Sequence, residues 1–197
     1  MLVESHIYND NFFHNTIKLE SDSAKAFVDI ILEHFSPKSI IDIGCGAGIY
    51  LFEFKKKGIK NVFGIDGSEH AKSSFLLSKN KLEIFDLAKE YKADKKYDLC
   101  LCIEVAEHLR EEDADTLIKT IIKSSDLVIF TAAVPGQGPR SIDHINEQPH
   151  KYWIDKFSQN NYCFLDDLTK EMRLKMERKR VVWWIVNNLM IFKKNEI

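Results

Sequence analysis

What the chain lacks narrows its class before anything it contains. Its 197 residues include only four prolines, eight glycines and four cysteines, which leaves no room for a collagen-like, low-complexity or disulfide-framed build. Cys45, Cys100, Cys102 and Cys163 contain no C-x-x-C pair and no thiolate zinc spacing, and read as reduced thiols. Cys100 and Cys102 lie two apart in a strand-like run, so they share a sheet face as small apolar residues. No apolar run approaches a membrane span, the longest being Val181 to Val186. The opening MLVESH lacks the basic flank and apolar stretch of a signal peptide, and the expectation is a soluble, cytoplasmic protein without membrane contact. Nor is there an excess of positive charge. With 28 Lys plus Arg against 30 Asp plus Glu, the net charge is -2, and no chain-wide field favours nucleic acid as a partner. What remains, at 45% hydrophobic residues, is enough for one globular core, and residues 1–197 are expected to form a single domain.

The pattern along the chain alternates helix and strand. Ser21 or Ser23 is placed to cap a helix carrying Phe27, Ile30, Ile31 and Phe35 at helical spacing, ended by Pro37. Strands are expected at 39–43, 61–66, 82–85, 97–103 and 126–132, with helices at 49–57, 68–78 and 113–124 between them. A Pro- and Gly-rich loop beyond Val134 leads to a helix over 149–159, and the β-branched content of 181–192 predicts a last strand. The basic run from Lys170 to Arg180 offers either a phosphate-seeking patch or a solvated helix or hairpin face. This β/α order predicts an α/β fold with a mostly parallel sheet and helices on both faces.

Chemistry concentrates where the first strand ends. Ile40-Ile41-Asp42-Ile43-Gly44-Cys45-Gly46-Ala47-Gly48 places alternating glycines where a buried strand must turn into a helix, so backbone amides can approach a ligand. A dinucleotide fingerprint, Gly-x-Gly-x-x-Gly, would require glycine where Ile49 stands, which disfavours NAD. Asp66 ends the next strand, 22 residues past Gly44, a suitable distance for the end of the adjacent strand.

This stretch resembles motif I of the class I S-adenosylmethionine (SAM)-dependent methyltransferases, and the strand ending at Asp66 resembles their motif II. The resemblance covers nearly the whole chain and implies a Rossmann-like, seven-stranded sheet with SAM as cosubstrate. It places Asp42, Gly44, Cys45, Gly46 and Gly48 at the methionine end, Asp66 and Gly67 at the ribose, and Asp86 and Leu87 beside the adenine. The run Tyr97 to Leu109 is similar to the family's fourth-strand motif, which borders the methyl group through Glu104. The segments HINEQPHKYWIDKF and VVWWIVNNLMIF resemble small methyltransferases of sugar and surface-glycan biosynthesis, which implies a small-molecule acceptor such as a sugar or sugar phosphate.

Methyl transfer from a sulfonium to a hydroxyl requires alignment and a base. His144, in the loop after the fifth strand, is the expected catalytic base, with Arg140 for an anionic group and Asn146, Glu147 and Gln148 either for sugar hydrogen bonds or for tying down the loop. Glu104, Glu107, His108 and His144 carry metal-ligand chemistry, an arrangement used for a metal by some relatives resembling the ubiquinone-pathway O-methyltransferases and small-RNA 3′-end methyltransferases and present in metal-free relatives too; no metal is assigned to them, and the question of a divalent ion is left open. The rival readings are a metal-assisted RNA 2′-O-methyltransferase and a SAM-binding regulatory or scaffold subunit without turnover. The acceptor, the choice of O or N, and the oligomeric state are left open.

Overall fold

The computed structural model describes residues 7–137 and 143–196. Helix α1 (Asp10–His34) leads into β1 (Ser39–Ile43), α2 (Ile49–Lys56), β2 (Asn61–Asp66), α3 (Glu69–Ser74), β3 (Leu82–Ile84), β4 (Leu99–Ile103), α4 (Ala114–Ser124) and β5 (Leu127–Thr131). Then come α5 (His150–Gln159), β6 (Tyr162–Phe164), α6 (Asp166–Arg178), α7 (Trp183–Asn188) and β7 (Met190–Lys194). The strands form one seven-stranded sheet in the order β3-β2-β1-β4-β5-β7-β6. β1 to β5 pair in parallel and β7 runs antiparallel to both of its neighbours.

Period-two alternation sorts the strand side chains into two cores. Ile40, Leu99, Leu101 and Ile129 face α1, α2, α6 and α7, packing with Phe27, Leu51, Phe54 and Met172. Ile41, Ile43, Cys100, Cys102 and Phe130 face α4 and α5, packing with Leu117, Ile121, Trp153 and Phe157. Both cysteines of β4 therefore do lie on one face as core residues, and burial pushes their thiols well up. The four cysteines are free.

Two sequence expectations are corrected. Helix α1 starts at Asp10 behind an Asn9 cap, not at Ser21 or Ser23: the Ser21 hydroxyl donates to Ile17 O within the helix, and Ser23 is buried. The stretch 181–192 is not one strand. Val182 N is held by the Ser23 hydroxyl at 3.0 Å, and α7 precedes β7. The Lys170–Arg180 run belongs mainly to α6, the helix among its expected forms, and β6 is an element the sequence pattern did not show. No helix among the described residues is long and apolar enough to cross a membrane.

Candidate active site

The β1–α2 turn is built from glycine because three of its residues are left-handed: Gly44, Gly46 and Gly48 have φ of +79°, +52° and +73°. A side chain would also collide. A Cβ at Gly44 would stand 2.3 Å from Val105, and one at Gly48 would stand 2.4 Å from the Phe75 ring. The turn is tied to β2 by Gly44 N and Cys45 N, which both donate to Ile65 O at 2.8 and 3.0 Å. Asp66 completes the tie. Its Oδ2 accepts from Gly46 N at 2.7 Å and its Oδ1 from Ser68 N at 2.8 Å. Burial raises the Asp66 pKa, while those two amides pull it back. Each carboxylate oxygen still has a lone pair for an outside donor.

Over this turn lies a cavity of about 320 Å³, a size that suits a small-molecule site. The turn from Gly44 to Gly46, including Cys45, forms its floor together with Asp66, Gly67, Leu87 and Glu104. Three expected contacts do not line it. Asp42 is only 1% exposed, and its Oδ2 has no partner among the described residues; burial and then Asp66 push its carboxyl up to about 8. Gly48 serves instead as the left-handed cap of α2, whose first amides have no intrahelical partner. Asp86 stands just past β3 with Oδ1 accepting from Ala88 N at 3.1 Å, next to Leu87, which does face the cavity. The walls were missed from sequence: Phe13, Ile17 and Glu20 from α1, Tyr50 from α2, and Trp184 and Ile185 from α7.

At the β4 end the cavity runs into acids and imidazoles. Glu104 has φ +53°, an uncommon backbone state for a non-glycine residue. Asn188 Nδ2 donates to its two oxygens at 3.0 and 3.2 Å. Glu107 is fully buried, with Oε1 accepting from Ala133 N at 3.2 Å and Oε2 without a partner among the described residues. Burial raises both carboxyls, and the charge of Glu104 raises that of Glu107 further. His108 lines the cavity; burial lowers its pKa to about 4, and its Nδ1 lies 2.8 Å from Tyr8 OH and 3.1 Å from Asp143 O.

His144 is set back from the cavity, its ring centroid 4.8 Å from that of His108 and its Nδ1 2.9 Å from Glu147 Oε1. Ligand atoms of Glu107, His108 and His144 all lie within 4.8 Å of one another. Glu147 also accepts from Gly136 N at 2.8 Å, and buried Asn146 accepts from Gln148 Nε2 at 2.9 Å. Those three residues tie down the loop. Arg140 lies outside the described residues.

A glycine turn, an acidic residue closing the second strand and this strand order define a Rossmann-like methyltransferase fold. The chain belongs to the methyltransferase-domain family, whose model matches residues 18–176, and S-adenosylmethionine is the cosubstrate this membership brings. It is similar to a ribosomal protein L11 methyltransferase of Fusobacterium nucleatum, 30% identical over 140 residues, 61% of this chain and 44% of that protein. It is also similar to a ubiquinone biosynthesis O-methyltransferase of Nitrosomonas europaea, 31% identical over 115 residues, 53% of this chain and 48% of that protein. The matches thus span about half the length of these relatives. One chain of a complex containing the Haloferax volcanii Trm112 methyltransferase activator shares the fold with a TM-score of 0.69 at 13% identity, covering 96% of each chain.

Proposed function

We propose that residues 1–197 act as one SAM-dependent O-methyltransferase domain whose acceptor is a hydroxyl of a small polar molecule, a sugar or sugar phosphate. The observation that carries this reading is the continuity of the glycine-turn cavity with the cluster of Glu104, Glu107, His108 and His144. Gly44 to Ala47 and the free amides at the start of α2, behind the Gly48 cap, hold the methionine end. The two Asp66 oxygens take the ribose hydroxyls, Leu87 packs on the adenine, and Asp86 approaches its amino group. Asp42 stays buried in β1, outside the cavity.

His144 is the base. With Nδ1 engaged by Glu147, Nε2 is the nitrogen that accepts the hydroxyl proton. The acceptor oxygen attacks the methyl carbon in line, the carbon–sulfur bond breaks, and its electron pair stays on sulfur. Similarity to an O-methyltransferase supports oxygen as the acceptor atom. The test is transfer of labelled methyl to a panel of nucleotide sugars, sugar phosphates and short RNAs, with and without EDTA. A sugar should be labelled regardless of EDTA, and His144→Ala should reduce the rate by about 100-fold or more. Labelling of RNA alone would overturn the sugar reading.

A second reading, metal-assisted transfer to an RNA 2′-hydroxyl, is favoured by one observation. Glu107, His108 and His144 converge, with Glu107 Oε2 buried and unpartnered and both imidazoles held at Nδ1 by oxygens, which is how metal-bound histidines are usually oriented. A divalent ion there would polarise the acceptor hydroxyl. Against RNA, Lys170 pairs with Asp166, Arg173 with Leu189 O, and Lys175 with Glu33 and Glu171, so half of the basic run is engaged within the protein. Loss of transfer with EDTA would favour the metal.

A further inference from the structure

The cavity has no cation of its own. Among the described residues that line it there is no lysine or arginine, but there are three carboxylates, those of Glu20, Asp66 and Glu104. Asp66 is held by two backbone amides and Glu104 by the Asn188 amide. Glu20, half-buried on α1, receives no hydrogen bond and no ion pair from the described residues. The charge it faces is that of Glu104, and burial followed by that charge pushes its carboxyl up to about 7. The Tyr50 phenol of α2 senses both acids; Thr16 lines the cavity one turn earlier on α1, and α7 contributes Trp184 and Ile185 and has no charged residue. Two carboxylates lining one partly dry cavity repel, and each keeps its charge at a penalty until a cation joins them.

The strand order says which part of a ligand meets them. β2 and β3, with Asp66 and Leu87, lie on one side of β1, and β4, which delivers Glu104, lies on the other. A cosubstrate with its ribose at Asp66 therefore extends its methionine end toward Glu104, within the cavity that Glu20 of α1 also lines. That end carries the sulfonium and the α-ammonium. Its carboxylate has the free amides at the start of α2.

We propose that Glu20 is the counter-charge for the sulfonium end of the cosubstrate, so that this cavity prefers SAM to S-adenosylhomocysteine. The inference rests on the SAM reading above. Methyl transfer removes the positive charge from sulfur, the acceptor's proton leaves to the base, and the product, one charge less positive, loses its attraction to Glu20. Product release is thereby built into the charge of the cavity.

Calorimetric titration of the full chain at about pH 8 tests this with three ligands: SAM, sinefungin, which carries an amine in place of the sulfonium, and S-adenosylhomocysteine. The wild type should bind the two cationic ligands about tenfold more tightly than the neutral thioether. Glu20→Gln should bring the three affinities to within about twofold while leaving that of S-adenosylhomocysteine unchanged, and Glu20→Asp should keep part of the preference. Retained S-adenosylhomocysteine binding also shows that the variants are folded. Equal weakening of all three ligands in Glu20→Gln, or an unchanged preference, would overturn the role of Glu20 and leave the SAM reading standing. A wild type that binds none of the three overturns both.

Discussion

Gly48 and Gly58 both sit at positive φ, +73° and +95°, yet only Gly48 has a neighbour where a side chain would go. Gly58→Ala should therefore lose only the backbone term, about 1–2 kcal/mol. Gly48→Ala should lose that and about 1–3 kcal/mol more from pressing on Phe75. Urea unfolding of both variants checks this, and equal losses would show that Phe75 yields freely. Asp42 poses a different question at the same scale. Its carboxyl is held up to about 8 in the folded chain, against about 3.9 when unfolded. The folded state keeps a proton that the unfolded state releases, so this contribution is present below about pH 4 and is lost as pH rises toward 8. Asp42→Asn removes the linkage. The stability of the variant relative to wild type should grow by on the order of a few kcal/mol between about pH 4 and 8, and a flat difference would mean that Asp42 ionises normally. His108, held neutral by burial, titrates in part of the same window in both proteins and cancels in the difference.

The elements that were legible in the sequence are those whose partners are local. β1 and β2 are apolar runs closed by a glycine turn and an aspartate, and their bounds are found as expected. The same locality made Gly44, Gly46 and Asp66 legible as cavity residues. α1 and α7 were misread because their partners are remote. The first half of α1 packs Phe13 on Ala47 and Ala71 and otherwise walls the cavity, so its apolar stripe is thin and its start does not show. The β-branched run at 181–186 favours a strand, yet Ile185 and Val186 are buried while Trp183 is 55% exposed, the pattern of a helix fixed by packing. One hydrogen bond joins these two walls, from Val182 N to the Ser23 hydroxyl at 3.0 Å. Ser23→Ala leaves that amide without its partner at the start of α7 and should lose about 1 kcal/mol in urea unfolding. Because Trp184 and Ile185 follow directly, SAM affinity should weaken with it. A stability loss without any change in affinity would show that α7 keeps its place without α1.

Across the whole molecule, the parallel strands β1 to β5 bring their carboxyl ends to one edge, and the chain leaves β1 for neighbours on either side, β2 and β4. That is the crevice where an α/β sheet accepts a ligand. Here it is roofed by elements from opposite ends of the chain, α1 and α7, while the sheet beneath it is held by two apolar cores. Stability is therefore uneven. β4 and β5 are buried among strands, whereas α1 exposes Phe12 and Leu19 and α7 exposes Trp183, so the roof should open at lower free energy than the sheet. A ligand that touches turn and roof together binds only the closed form, and at a hundred times its dissociation constant it adds about 2.7 kcal/mol to folding. Hydrogen exchange with and without SAM should thus show protection gained over residues 10–20 and 183–188, with little change in β4 and β5 because they open only when the whole chain unfolds. Protection confined to the β1–α2 turn would mean that the two chain ends frame the cavity without closing on what it holds.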